Sequence, residues 1–133
     1  MSVAQRLGKY EIQAALGKGP RATVYRAVDT ESKRSVAIKV IPREAVDARA
    51  IAPFKKYAVG LAQVQHPAIA PFIEMLETEK TVCTVSALAE GQPLSSLLKD
   101  GAYPETRIAW EIVRQMLEAL AGAHQQGDRK SVV

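Results

Sequence analysis

Cysteine is almost absent from this sequence, since Cys83 is the only one among 133 residues. A single thiol cannot form an internal disulfide, so we expect the chain to fold without covalent cross-links, in the reducing setting of the cytoplasm. Cys83 lies within an apolar run, which is typical of a buried structural thiol rather than a reactive one.

Long apolar segments are absent as well. No stretch approaches the roughly 18 apolar residues that span a membrane, and the N-terminus lacks the apolar segment of a signal peptide. The sequence therefore predicts no membrane segment in this chain, while an anchor beyond Val133 in a longer parent stays open. Because 47% of the residues are hydrophobic and 24% are charged, the composition is that of one globular domain, not of a disordered segment.

Charge of one sign is nowhere concentrated. The formal net charge is +4, and the basic residues form no stripe and are not interleaved with aromatic side chains. This distribution does not predict a nucleic-acid partner, because binding to phosphates favours a clustered basic patch. The scattered basic residues include Lys9, Lys18, Arg21, Arg34, Lys55, Lys56 and Arg129.

The first third of the chain has the period of β-strands. Strands are predicted over residues 10–16, 22–29 and 35–41. In the second of these, Val24 and Val28 alternate with Tyr25 and Ala27, as in a half-buried strand. A glycine-bearing turn at 17–20 and a polar turn at 30–34 connect the three, and such short connections imply an antiparallel meander.

The period then changes to that of a helix. Phe54, Tyr57, Ala58 and Leu61 fall on one helical face, which predicts a helix over 49–65 with Pro53 in its first turn. Beyond it, strands are predicted over 72–77 and 81–88, and a short helix over 94–99.

A last helix is predicted over 104–125, and its apolar face is unusually wide. The apolar side chains cover an arc of roughly 220°, whereas an ordinary surface helix needs only about 100°. We therefore expect this helix to need partners on two sides, and the chain made alone to self-associate. The residues on the arc are Ile108, Ala109, Ile112, Val113, Met116, Leu117, Leu120, Ala121 and Ala123.

A glycine-bearing turn is followed later in the chain by a strand that carries a lysine, and the order and spacing of the two are informative. Residues 16–25 read Leu-Gly-Lys-Gly-Pro-Arg-Ala-Thr-Val-Tyr, and residues 36–39 read Val-Ala-Ile-Lys. Each motif alone is weak, but together, followed by a helix, His66-Pro67, two strands and Glu90-Gly91, they resemble the start of a protein kinase. The resemblance extends from about Leu7 to Gly127, and the motifs are similar to those of bacterial serine/threonine kinases of the eukaryotic type.

The resemblance implies an α+β fold. It implies a protein-kinase N-lobe, with a five-stranded antiparallel sheet and one packed helix, over residues 7–89. Residues 90–127 would form the hinge exit and the first two helices of an incomplete helical C-lobe. Residues 128–133 are expected to be a non-native tail.

The resemblance also implies a binding site for ATP. Loop glycines would let backbone amides approach the phosphates, and Lys39 would place a positive charge against them. Ala37 would leave room for the adenine ring, and the small side chain of Ser86 would leave the back of the pocket open. The implied nucleotide-binding residues are Leu16, Gly17, Lys18, Gly19, Val24, Ala37, Lys39, Ser86, Ala87, Leu88 and Ala89.

The sequence departs from the family at the partner of that lysine. The matching helix normally presents a glutamate, but here the position is Tyr57, and no Asp or Glu occurs between Asp47 and Glu74. A phenol can accept a hydrogen bond but carries no negative charge at neutral pH. Tyr57 is equally well explained as a core aromatic. Pro20 also removes one backbone N–H from the loop, so we expect ATP binding to be weak, independent of metal, or absent.

A second departure concerns catalysis. Asp128 precedes Arg129, the reverse of the family's catalytic Arg-Asp order, and neither an asparagine nor an Asp-Phe-Gly motif occurs in the sequence. The chain as given is therefore expected to hold no catalytic residue and no metal ligand. Mg²⁺ is expected only in an intact parent.

Three interpretations stay open at this point. The chain is the ATP-binding portion of a serine/threonine protein kinase, truncated before the catalytic loop, whose intact parent transfers a phosphoryl group from ATP to protein. Alternatively, it is a pseudokinase module that regulates or scaffolds, or a gene fragment with no independent function. The protein substrate or partner is not identified by the sequence.

Overall fold

The computed structural model describes residues 5–125, except for the side chain of Asp100, and the predicted tail 128–133 lies outside them. The strands are β1 (Arg6–Leu7), β2 (Tyr10–Lys18), β3 (Thr23–Asp29), β4 (Ser35–Pro42), β5 (Phe72–Glu77) and β6 (Thr81–Ala87). The helices are α1 (Ala48–Leu61), α2 (Leu94–Leu97) and α3 (Thr106–Gln125), with 3-10 turns at Arg43–Ala45 and Lys99–Gly101.

The strands form one antiparallel sheet in the order β1-β2-β3-β4-β6-β5. This arrangement confirms the predicted α+β class and the meander of the first three predicted strands. The sheet has six strands rather than five, because Arg6 and Leu7 pair with Glu11 and Tyr10. A two-residue strand is too short to show alternation, and its turn depends on Gly8, whose φ of 59° favours glycine.

One face of the sheet carries the hydrophobic core. Alternate residues of neighbouring strands point to this face, because side chains alternate along a strand with a period of two. Cys83 is fully buried among them, which confirms the prediction of a structural thiol, and burial raises the pKa of the thiol. The core residues are Tyr10, Ala27, Val36, Ile38, Cys83 and Val85.

Helix α1 begins within one residue of its predicted start, but Pro53 does not lie in its first turn. The Asp47 side chain accepts a hydrogen bond from the backbone N–H of Arg49 and caps the helix, which starts at Ala48. Pro53 therefore lies inside α1, and the prediction that it marks the first turn was wrong. The start of the helix is determined by the Asp47 cap and not by Pro53. The helix ends at Leu61, four residues before the predicted end.

Helix α3 contacts the rest of the chain at its C-terminal end. A Cβ built on Gly122 would lie 2.7 Å from Cδ2 of His66, in the loop after α1. The His66 ring is itself held in place, because its Nδ1 accepts a hydrogen bond of 3.0 Å from the Ala68 backbone N–H. Glycine at position 122 is therefore required by the close approach of α3 to this loop.

Replacing Gly122 with alanine is expected to lower the free energy of unfolding by about 1 kcal/mol. The overlap with the His66 ring outweighs the helix propensity that alanine adds, since overpacking typically costs about 1–3 kcal/mol. Gly60 is the matched control, because a Cβ there meets no atom within 4 Å. Gly60→Ala should raise the unfolding free energy by about 0.5–1 kcal/mol. Thermal unfolding followed by circular dichroism measures both; a stabilising Gly122→Ala would contradict the contact.

Candidate functional site

A cleft lies between the β2–β3 turn region and the segment that follows β6. Its volume is about 550 Å³, which is within the range of small-molecule sites. Both walls combine apolar side chains with backbone. The lining residues are Leu16, Gly17, Val24, Arg26, Leu88, Ala89, Glu90, Gly91, Gln92 and Pro93.

The register of the sheet determines which side chains face this side of the molecule. Val24 pairs with Lys39, and Arg26 pairs with Ala37, which in turn pairs with Ser86. Directly paired residues, and residues two apart on one strand, lie on the same face of a sheet. These five residues therefore share the face opposite the buried core.

The β2–β3 turn supplies the glycine-bearing edge of the cleft. Gly19 donates its backbone N–H to the Ala22 carbonyl at 2.8 Å, which closes the turn. Gly17 lines the cleft, and a Cβ built there meets nothing within 4 Å. Because the backbone of Gly17 does not need glycine, the missing side chain instead leaves open space beside the cleft, where a ligand can approach the backbone closely.

The cleft contains part of the predicted binding set. Five predicted residues line it, namely Leu16, Gly17, Val24, Leu88 and Ala89. Six others do not, namely Lys18, Gly19, Ala37, Lys39, Ser86 and Ala87. Lys18 and Gly19 lie at the exposed turn, and Ala87 ends β6.

Other lining residues were not among the predicted nucleotide-binding residues. They are Arg26 and the segment 90–93. Arg26 could have been found from the alternation along β3, because it lies two residues after Val24. Glu90-Gly91 was predicted as part of the hinge exit, but its place in the cleft lining depends on the return of segment 90–93 toward β3.

Lys39 is exposed on the cleft side of the sheet. It is flanked by Val24 on β3 and by Thr84 on β6. The ion pairs within residues 5–125 do not include Lys39. Tyr57 is half-buried on α1, and its ring lies 6.5 Å from the ring of Phe54 at a tilt of 52°. The phenol thus belongs to an aromatic pair on the helix.

An ion pair spans the outer edge of the cleft. Arg26 Nη2 lies 3.8 Å from Glu90 Oε1, and the two side chains are 40% and 75% exposed. Such an exposed pair contributes at most about 1 kcal/mol. Next to it, Gly91 has a φ of +117°, a conformation that favours glycine. The pair links β3 to the segment after β6.

Two features, a group of metal ligands and a membrane-spanning helix, are absent from residues 5–125. Among residues 5–125, no three His, Cys, Asp or Glu side chains are grouped so that they could hold a metal ion. Within the same range, no helix combines the length and apolarity required to cross a membrane.

Comparison with known families shows which family this chain belongs to. The family described as "Protein kinase domain" matches residues 10–129. The chain belongs to this family. The kinase resemblance inferred from the glycine turn and the Val-Ala-Ile-Lys strand is thereby confirmed.

Individual relatives are serine/threonine kinases from bacteria and plants. The chain is 32% identical over 126 residues to "Serine/threonine-protein kinase PknA" of Mycobacterium tuberculosis, covering 90% of this chain and 29% of that protein. It is 31% identical over 121 residues to "Serine/threonine-protein kinase pkn2" of Myxococcus xanthus, covering 90% and 14%. It is 34% identical over 122 residues to "CBL-interacting serine/threonine-protein kinase 19" of Arabidopsis thaliana, covering 91% and 25%.

A solved structure shares the fold of this kinase chain. The crystal structure of the Mycobacterium tuberculosis PknI kinase domain matches with a TM-score of 0.82 and 20% sequence identity. The match covers 96% of this chain and 52% of that one. The chain therefore spans about half of a solved kinase domain, and less than a third of the curated relatives given above.

Proposed function

We propose that this chain is the ATP-binding portion of a serine/threonine protein kinase-like protein. The supporting observation is the cleft itself, which has Gly17 on one edge, the hinge-like segment 88–93 on the other and Lys39 on the adjoining sheet face. Membership of the kinase family makes ATP the ligand for which such a cleft is suited.

Each part of the proposed site has a distinct physical task. Leu16 and Val24 would cover the adenine ring with apolar surface, and the backbone at Leu88 and Ala89 would meet the purine edge. The amides near Gly17 and the Lys39 ammonium would hold the phosphates, because both present positive charge to an anion. Ala37 and Ser86 are small residues that follow Arg26 across the same face of the sheet, and would leave room for the adenine ring and keep the back of the pocket open.

Magnesium is not proposed as a ligand of the described residues. The ion prefers carboxylate oxygens shared with phosphates, and the one carboxylate of the cleft lining, Glu90, pairs with Arg26. The donor set of this cleft therefore does not fit a protein-bound magnesium. We propose magnesium use and phosphoryl transfer from ATP to protein for an intact parent only, with no catalytic residue in this chain.

Tyr57 favours a second candidate. A family member that keeps the cleft but lacks the acidic partner of the strand lysine is suited to regulation or scaffolding, since active kinases need that ion pair. The pseudokinase interpretation therefore stays beside the first. It assigns the cleft and the helical surface to a protein partner rather than to catalysis, and both interpretations keep the predicted cytoplasmic setting.

The direct test is a thermal-shift titration of the 133-residue chain with ATP. Nucleotide at 100 times its dissociation constant should stabilise the fold by about 2.7 kcal/mol. Lys39→Met should abolish most of this shift while leaving the ligand-free melting temperature within about 1 °C, because Lys39 is exposed and unpaired in the described chain. Lys80→Met, at the exposed β5–β6 turn, is the matched control and should retain the shift.

The outcomes separate the candidates. A shift that needs Lys39 but not magnesium would support nucleotide binding by this chain. No shift at millimolar ATP would contradict the proposed ATP site and favour a scaffold or a fragment with no function of its own. An equal shift in wild type and Lys39→Met would place the nucleotide elsewhere.

A further inference from the structure

Helix α1 buries only part of its apolar face against the sheet. Ala58 is its one buried residue, and Val59 is 65% exposed. Four further side chains are half-buried, namely Ile51, Phe54, Tyr57 and Leu61. The helix packs mainly against β5. Because hydrophobic stabilisation scales with the apolar area removed from water, this partial contact leaves a role for polar interactions in orienting the helix.

An ionic cluster lies where α1 meets β5. Glu77, the last residue of β5, forms an ion pair with Lys55 on the helix. Its Oε2 also accepts a hydrogen bond of 2.9 Å from Nη2 of Arg43, in the 3-10 turn after β4. The same Nη2 donates to the Thr78 carbonyl at 2.9 Å. One carboxylate is thus shared by two cations from two different segments.

Partial burial strengthens this cluster. The Glu77 side chain is only 21% exposed, whereas Lys55 is 58% exposed and reaches it from solvent. Charge-assisted hydrogen bonds to a carboxylate that is largely withdrawn from water are stronger than those of fully exposed pairs. Because Arg43 also donates to the Thr78 carbonyl, its position is fixed from two sides, and it orients the carboxylate that Lys55 contacts.

We propose that Glu77 is the positioning residue of helix α1. The kinase arrangement implied by the sequence has a strand lysine paired with a helix acid. Here the helix offers Tyr57, and Lys39 forms no ion pair with an acid among residues 5–125. The charges are reversed in this chain, since the acid lies on strand β5 and the base on helix α1. Lys55 is two residues before Tyr57, so the pair holds the turn that carries the altered position. The helix is thereby fixed to the sheet independently of Lys39.

This inference goes beyond ATP binding, because it concerns the chain without any nucleotide. It is tested by hydrogen exchange of the ligand-free chain, resolved to the amides of α1 and of β4. Glu77→Gln should raise the exchange rate of the α1 amides roughly fivefold, while β4 amides keep their wild-type rate. Lys55→Gln should act in the same way, and it is exposed enough to leave the fold intact.

Matched controls distinguish positioning from a general loss of charge. Glu79→Gln and Lys56→Gln remove exposed charges next to the same segments and should leave α1 exchange unchanged. Lys39→Met should also leave it unchanged. High salt should speed α1 exchange in wild type and have little effect in Lys55→Gln, because screening acts on the pair.

Three results would overturn the proposal. They are unchanged α1 exchange in both Glu77→Gln and Lys55→Gln, equal acceleration of α1 and β4 amides, and an acceleration in Lys39→Met that matches that of Glu77→Gln. A failed ATP titration would leave these measurements unaffected, so the two proposals fail separately.

Discussion

Replacing Ile38 with alanine should lower the free energy of unfolding by about 2–5 kcal/mol. Ile38 is fully buried on β4, between β3 and β6, and belongs to the core cluster. Removing its side chain leaves a cavity bounded by strands on both sides, which cannot collapse easily. Since total stabilities of about 5–15 kcal/mol are usual, this one change removes a large share of the total.

Ile73 is the matched control for this substitution. It is 38% exposed on the edge strand β5, so Ile73→Ala should cost less than about 1 kcal/mol. Urea denaturation followed by circular dichroism measures both changes. The neighbouring Lys39→Met should leave the midpoint near that of wild type, because residues 38 and 39 lie on opposite faces of the sheet. Equal losses in the two alanine variants would contradict the assignment of the core face.

The chain is expected to self-associate at micromolar concentration, through the apolar side of α3. Six large apolar side chains of this helix are exposed by 42–69%, although the helix pattern calls for partners on two sides. Contiguous apolar surface of this kind favours association, since burial removes it from water. The six are Ile108, Trp110, Val113, Met116, Leu117 and Leu120.

A single charge on this surface should shift the equilibrium toward monomer. Leu117→Glu introduces a carboxylate in the middle of the apolar side, where association would bury it at high cost. Gln115→Glu adds the same charge on the polar side, near Glu111 and Glu118, and should leave the association unchanged. Light scattering during size-exclusion chromatography over a tenfold range of concentration distinguishes them. A wild-type chain that stays monomeric throughout would contradict the prediction.

Local signals predicted most of the elements, but not all of their ends. The alternation of Val24 and Val28 with Ala27 predicted β3. In the structure the same period of two places Ile38 and Lys39 of β4 on opposite faces of the sheet. The start of α1 was predicted within one residue, but Pro53 was wrongly placed in its first turn, since Asp47 caps the helix and Ala48 begins it. A capping hydrogen bond joins residues that are close in sequence, so Asp47 is a local signal for the start of this helix.

The candidate site was predictable only where it is built from consecutive residues. Leu16, Gly17 and Val24 belong to one hairpin, so their convergence was implied by the turn between them. Arg26 follows Val24 by two residues on β3, whereas the contribution of segment 90–93 depends on how the chain returns toward β3 after β6. No local pattern encodes that return, because the two segments are more than sixty residues apart in sequence.

The amino-acid sequence by itself determined the kinase family, the order of the strands and helices from Tyr10 onward, and the alternation of the two sides along β3. These properties depend on motif spacing and on periodicity, which neighbouring residues express without reference to the rest of the molecule. Only the tertiary structure decided that Glu77 holds α1 through Lys55, and that Gly122 must be small beside His66. Those contacts join distant segments, so packing alone brings them within reach.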